Sequence, residues 1–245
     1  MNLVLVEASE VTPTAQVTLR DGRATHLRTV LHVAPGQPVR MGVVNGPIGT
    51  GVVQQVSADG VVLACTWGEP PPRPRVDLLL ALPRPKVLRR LWAQFAALGV
   101  GQIILTNAER VERNYFDTHV LDEADYRTLL IEGLQQARDT HVPRVSVHRQ
   151  FRVLVEDTLD SLTADARRLV AEPGDAPGIR AALAARAADE RVLLAVGPEG
   201  GWNAFELTLL HAHRFTPVSL GPRTLRSDTA CLALLTLVHD AIETS

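Results

Sequence analysis

Three short segments in the last third of the chain hold the residues whose types and spacing can do chemistry. They are Glu172-Pro173-Gly174, Gly197-Pro198-Glu199-Gly200-Gly201 and Gly221-Pro222-Arg223-Thr224-Leu225-Arg226. Each follows an apolar run of strand character, and open α/β sheets bind ligands at the carboxyl ends of their strands. In the middle segment three glycines and a proline fall within five residues, which permits unusual backbone angles and close approach of a ligand. Asn203 can cap the helix that follows, with Glu206 completing a capping box. Neither GxGxxG nor GxxxxGK[ST] is present, so dinucleotide and P-loop chemistry are not indicated. Taken alone, the middle segment also reads as a tight turn with no ligand. The third segment sets Arg226 and Asp228 at the start of a helix, Cys231–Val238, that is apolar nearly all round. Such a helix is normally buried, so it is expected inside the fold or at a subunit interface.

These segments need elements to hold them. A proline-rich stretch, Glu69-Pro70-Pro71-Pro72-Arg73-Pro74-Arg75, can continue neither a helix nor a central strand. It divides the chain into residues 1–70 and 71–245. Before it, short Val-, Leu- and Thr-rich runs (Leu3–Val6, Ala15–Leu19, Pro38–Val44, Thr50–Val56 and Val61–Thr66) are separated by turn signals such as Asp21-Gly22 and Asp59-Gly60. One helical stretch, His26–Leu31, interrupts them. A small, partly open β-barrel fits this spacing. After the linker, strands alternate with helices: Val76–Leu82, Lys86–Leu98, Gln102–Asn107, Leu121–Arg138, Val145–His148, Leu154–Leu162, Leu169–Glu172, Ile179–Ala188, Arg191–Val196, Ala204–Arg214, Thr216–Leu220 and Asp228–Ile242. That alternation implies a mostly parallel sheet with helices on both faces.

Composition narrows the function classes. Of the 245 residues, 46% are hydrophobic, enough for real cores and unlike a disordered chain. The formal net charge of −2 gives no global pull toward nucleic acid, although a local basic patch is enough for binding. Lys86 is the only lysine. Arginine suits phosphate and base stacking, and the same bias also follows from a GC-rich genome. Cys65 and Cys231 lack a CxxC partner and read as buried, reduced thiols of a cytosolic chain. His211 and His213 are two apart on a helix and face different directions, so no metal site is expected. No stretch reads as a signal peptide or a membrane span.

Two strings carry a specific resemblance. Leu193-Leu194-Ala195-Val196-Gly197-Pro198-Glu199-Gly200-Gly201-Trp202 is followed by Val218-Ser219-Leu220-Gly221-Pro222-Arg223-Thr224-Leu225-Arg226-Ser227-Asp228-Thr229-Ala230. In this order and separation they resemble the RsmE family of SPOUT (trefoil-knot) methyltransferases. Weaker matches are His26–Leu31 and Ala97-Leu98-Gly99-Val100. The resemblance implies an α/β fold: a C-terminal SPOUT trefoil-knot domain over 71–245, with a mostly parallel sheet, preceded by a small PUA-like β-barrel RNA-binding domain over 1–70. It implies an S-adenosylmethionine-dependent enzyme that methylates N3 of a uridine in small-subunit (16S) ribosomal RNA. The implied partners are ribosomal RNA or the small subunit, and a second copy packed through the knotted domain, in the cytoplasm. Two segments depart from the family pattern: Gln94 and Ala97 before Leu98-Gly99-Val100, and Gln135-Gln136-Ala137-Arg138-Asp139. Both are expected on the RNA side of the pocket.

The resemblance also assigns roles. Cofactor contacts fall on Leu169 and Glu172, on Gly197, Pro198, Glu199, Gly200 and Gly201, and on Ser219, Leu220, Gly221, Arg223 and Leu225. Methylation of uridine N3 requires that nitrogen to lose its proton, and a fixed cation near O2 and O4 lowers the barrier. Arg226 is the candidate cation; it can instead pair with Asp228 or Glu199 and brace the loop. Glu199 and Asp228 are the candidate bases. Asp228 can equally serve its helix N-terminus, and Glu199 can accept backbone N–H bonds. Phosphate contacts are expected from Arg20, Arg23 and Arg28 before the linker and from Arg73, Arg75, Arg84, Lys86, Arg89 and Arg90 around it. The competing readings are a related SPOUT enzyme with another RNA target, an α/β enzyme using another small molecule, and a non-catalytic RNA-binding paralogue.

Overall fold

The computed structural model describes residues 2–243. It forms two compact units, one of residues 1–73 with 131–142, the other of 74–130 with 143–245. The first stretch ends just beyond the expected boundary at 70/71. The return of 131–142 to the first unit has no composition shift to mark it, because it begins inside a continuous helix.

The first unit is a five-stranded sheet of β1 (Val4–Val6), β2 (Gln16–Leu19), β3 (Pro38–Val43), β4 (Ile48–Ser57) and β5 (Gly60–Trp67), in the order β1-β3-β4-β5-β2. Only β1 and β3 run parallel; the other pairs are antiparallel. Alternate residues, among them Val17, Leu19, Met41, Val61 and Leu63, point into one core, and Cys65 sits in it as a free thiol. Helix α1 spans Gly22–Thr29, earlier than the expected 26–31. Asp21, read as part of a turn, is its cap: the carboxylate accepts from Arg23 N at 2.9 Å. Val30 and Leu31 lie beyond the helix and are exposed.

The second unit contains β6 (Val76–Ala81), α2 (Pro85–Ala97), β7 (Val100–Thr106), then α3 (Glu123–Ala137), which runs on into the first unit, and β8 (Arg144–His148). A broken helix follows, α4 (Phe151–Val153) and α5 (Leu159–Leu162), with a π-helical turn at Leu154–Thr158 between them. Then come β9 (Arg167–Ala171), α6 (Ile179–Leu183), β10 (Val192–Val196), α7 (Ala204–Ala212), β11 (Thr216–Val218) and α8 (Ser227–Glu243). Helix α6 stops at Leu183, short of the expected Ala188.

All six strands are parallel, in the order β11-β9-β10-β6-β7-β8. Strands β6 and β10 are buried along their whole length, which is why they read as unbroken apolar runs. At the amino-terminal edge Asp77, 1% exposed, takes both Arg191 Nη2 contacts at 2.6 and 2.7 Å while Arg191 Nη1 donates to Pro74 O at 3.0 Å. Burial pushes the Asp77 carboxyl up, and the Arg191 guanidinium opposes that shift. This pair ties the start of β6 to the start of β10.

Helix α8 buries one side only. Cys231, Leu234, Leu235 and Val238 are inside, and burial pushes the Cys231 thiol up. Leu237 is exposed and Leu232 and Ala233 are half-buried. Within one chain the helix is therefore not enclosed, contrary to the first alternative drawn from its composition.

Candidate functional site

Because β11, β9 and β10 are parallel neighbours, the segments after them leave the sheet on one edge. All three expected segments meet there around one cavity. Its wall includes Glu172 and Pro173, the five residues Gly197 to Gly201, and Ser219, Leu220, Gly221, Arg223 and Leu225. Leu169 is the exception: it is fully buried within β9 and does not reach the cavity. Ala171, Val196, Val218, Thr224, Ser227, Ala230 and Leu234 complete the lining. Of these, Thr224 belongs to the third expected segment, while Ala171, Val196 and Val218 at strand ends and Ser227, Ala230 and Leu234 on α8 look in the sequence like ordinary core and helix residues.

Local bonds fix the loops. Glu172 N donates to Val218 O at 2.9 Å and Ser219 N to Pro177 O at 3.0 Å, which draws the first and third segments together. Gly221 N donates to Ser219 Oγ at 3.0 Å. Gly201 closes a turn on Pro198 O at 2.8 Å with φ +73°, in the left-handed region where a Cβ is strained. The Trp202 indole lies against Gly197, where a Cβ would sit 3.1 Å from the ring. Asn203 and Glu206 form the expected capping box: Asn203 Oδ1 accepts from Glu206 N at 2.8 Å and Glu206 Oε2 from Asn203 N at 2.7 Å. The Glu172 carboxylate is 2.7 Å from His211 Nε2 on α7, an orientation contact that sequence alone did not signal.

The three candidate catalytic side chains gather around an adjoining cavity, and of them only Glu199 also borders the first. Glu199, Arg226 and Asp228 line the adjoining cavity with Arg84, Val87, Thr224, Leu225 and Ser227, so the two cavities share Glu199, Thr224, Leu225 and Ser227. Arg226 is 78% exposed, with its Nε 3.8 Å from Asp228 Oδ1. Asp228 also accepts from Arg90 Nη2 at 3.2 Å and from Thr229 N at 2.9 Å. Its carboxylate therefore braces the α8 N-terminus between two guanidinium groups. Glu199 is exposed. Gln94 lies farther along α2, in a groove toward α8 lined by Arg90, Leu91, Arg226, Leu232 and Ala233.

The expected phosphate contacts divide into two sets. Arg23 is held by Glu10 at 2.5 Å, Asp21 at 2.7 Å and Leu5 O at 2.7 Å. Arg28 donates to Ser57 O and Ala58 O, both at 2.7 Å. Arg75 donates to Ala188 O and to Ile242 O. These three hold their own unit together. Arg20, Arg73, Arg84, Lys86, Arg89 and Arg90 are exposed. Segment 135–139 is engaged in the first unit: Asn2 Nδ2 donates to Gln136 O at 3.0 Å, and Asp139 Oδ1 accepts from Thr140 N at 2.6 Å.

Comparison with known proteins bears on this arrangement. A family model for an RNA methyltransferase domain matches residues 69–239. The ribosomal RNA small subunit methyltransferase E of Treponema pallidum is 30% identical over 250 residues, spanning 97% of this chain and 90% of its own. The Mycobacterium tuberculosis protein of the same name is 28% identical over 227 residues, spanning 91% and 86%. Among solved structures, the ribosomal RNA small subunit methyltransferase E of Neisseria gonorrhoeae bound to S-adenosyl methionine superposes with a TM-score of 0.74. It is 22% identical, with 97% of each chain covered, and shares the fold.

Proposed function

The chain belongs to the RsmE family of RNA methyltransferases, and from that premise we propose that it methylates N3 of a uridine in small-subunit ribosomal RNA, using S-adenosylmethionine. The observation that carries this reading is the convergence of the three segments after β9, β10 and β11 on one cavity. Its chemistry fits the cofactor. Aliphatic side chains of Val196, Leu220, Leu225 and Leu234 offer faces for a flat base. The backbone of Gly197 to Gly201 and Ser219 to Gly221 offers polar edges, and Glu172 offers an oriented carboxylate for hydroxyls.

When bound there, S-adenosylmethionine supplies an electrophilic methyl group. The chain's own residues handle the uridine. Arg226, exposed beside the shared wall, is the cation that steadies negative charge spread over O2 and O4 of the base. Glu199, which borders both cavities, is the carboxylate that takes the N3 proton. Asp228 keeps Arg226 near the wall rather than acting as the base, since two guanidinium groups and a backbone N–H already use it. Exposed Arg84 and Arg90, which line the cavities on this side, hold phosphates of the strand, and exposed Lys86 and Arg89 on α2 add charge for the same purpose. The target base must leave its stack to enter.

The first unit is a PUA-like barrel, supported by its five-stranded order with β1 and β2 at the two ends. The second follows a trefoil-knotted path, supported by β10 lying between β9 and β6. A second copy covers the half-apolar α2–α8 groove of Leu91, Leu232 and Ala233. The protein works in the cytoplasm, where ribosomal RNA is folded.

The test is mass spectrometry of nucleosides from small-subunit ribosomal RNA. Cells lacking the protein are expected to lose 3-methyluridine and to regain it on complementation. Undiminished 3-methyluridine in the deletion strain would sink the proposal.

A further inference from the structure

A loop rich in glycine has few side chains with which to hold itself. Glycine also loses more conformational freedom on ordering than any other residue. Beyond the single turn bond from Gly201 N to Pro198 O, whatever orders Gly197 to Gly201 must therefore come from outside it. One anchor is Trp202. The others come from residues 107–110, which follow β7, two strands away from β10, and do not line the cavity.

The Arg110 guanidinium donates through Nη1 to Gly200 O. Its side chain occupies the space where a Gly200 Cβ would be: Arg110 Cδ would lie 2.7 Å away. Glu206 adds a second link. It is 3% exposed, and its two oxygens serve two different segments, Oε1 accepting from Glu109 N at 2.7 Å and Oε2 from Asn203 N at 2.7 Å. One buried carboxylate thus joins the backbone of the 107–110 segment to Asn203, the α7 cap two residues beyond the glycine loop.

We propose that Arg110 and Glu206 are positioning residues, which preorder the Gly197–Gly201 wall so that cofactor binding does not have to. This rests on the cofactor reading above and extends it to residues outside the cavity. Preordering lowers the cost of binding without adding a contact. The effect therefore falls on cofactor affinity and on the mobility of the free loop; once cofactor is bound and has ordered the loop, Glu199 stands where it does in the parent and the chemical step is largely unchanged.

The experiment combines calorimetry with S-adenosylmethionine, steady-state kinetics and amide hydrogen exchange on the full chain. Arg110→Ala is expected to raise the cofactor dissociation constant about fivefold, the scale of one lost hydrogen bond from a charged donor discounted for exposure. It is expected to leave kcat at saturating cofactor within about twofold and to speed exchange at Gly200 and Gly201. Arg110→Lys, which keeps a donor but not the fork, recovers part of the affinity. Gly200→Ala also weakens binding, and in the double variant with Arg110→Ala the two losses do not add, because the clash has been removed. Wild-type affinity and unchanged exchange in Arg110→Ala would overturn the proposal, as would a loss confined to kcat. If the unsubstituted protein fails to bind S-adenosylmethionine, the functional reading falls, and the exchange comparison still decides whether Arg110 orders the loop.

Discussion

The two edges of the six-stranded sheet each carry an arginine–aspartate pair, and the pairs have opposite characters. At the amino-terminal edge Arg191 grips Asp77 with two contacts of 2.6 and 2.7 Å, and the carboxylate is 1% exposed. At the carboxyl edge Arg226 stands 3.8 Å from Asp228 and is 78% exposed. The same residue types make a fastening in one place and an available cation in the other. The difference follows from what surrounds them. The first pair lies between two buried strands with Pro74 O taking a further N–H. The second stands at a helix N-terminus among glycine-rich loops, with Arg90 competing for the carboxylate. A tightly satisfied pair holds a fold, and a loose one is free to meet a ligand.

The comparison breaks first, and most visibly, at the fastening. Asp77→Ala is expected to cost about 3 kcal/mol in denaturant unfolding, the low end for breaking a buried pair, because Arg191 keeps some access to water. The remaining folded fraction should keep the cofactor affinity of the parent. A variant of unchanged stability, or one that is stable but cannot bind cofactor, would mean that the amino-terminal edge is not merely a fastening.

At the other edge the signs reverse. Arg226→Ala is expected to leave the thermal midpoint unchanged within about a degree, since exposed pairs contribute little to stability. Turnover is expected to fall about a hundredfold, the scale for removing one group that meets developing charge in a transition state. Cofactor binding by calorimetry should stay near the parent value, because Arg226 does not line the first cavity. Undiminished methyl transfer would remove Arg226 from the reaction and leave it a brace for the α8 N-terminus.

This contrast was only half legible in the sequence. Strands β6 and β10, the capping box at Asn203 and Glu206 and the three segments around the cavity could all be read from periodicity, turn chemistry and spacing. Each is local, or follows from all strands running the same way. What escaped was long-range pairing. Nothing near Asp77 announces Arg191, 114 positions away. Nothing near Gly200 announces Arg110. For the same reason Arg23, Arg28 and Arg75 look like their exposed neighbours until their carbonyl and carboxylate partners are seen. Asp21 reads as a turn residue in the sequence because a helix cap and a turn use the same residue types. The segment 131–142 joins the first unit although it begins within α3, a helix that starts in the second and ends at Ala137, and no compositional change marks that point.

A third arginine tests whether engagement sets the contribution when exposure does not rank with it. Arg23 is 22% exposed, less than Arg191 at 36%, and is bonded to both Glu10 and Asp21, whose carboxylates are more open than Asp77. The hydrogen bonds from Arg23 hold the Glu10 and Asp21 carboxyls below their ordinary values of 4.5 and 3.8. A carboxylate depressed on folding contributes stability that is complete above its unfolded pKa and lost as pH falls through the folded one. The first unit is therefore expected to hold its stability down to about pH 4.5 and to lose it progressively below that. Arg23→Gln should remove part of this contribution at pH 7 and flatten the acid limb, because the two carboxyls then return toward their unfolded values. Hydrogen exchange at the buried amides of Val17, Leu19 and Leu63, followed from pH 7 to 3.5, reads the unit directly. The expected loss at pH 7 is about 1 kcal/mol, smaller than at Asp77 because water screens a partly open pair. An acid limb as steep in Arg23→Gln as in the parent would show that other groups set the acid sensitivity of this unit, and the scale from fastening to available cation would then rest on the sheet's two edges alone.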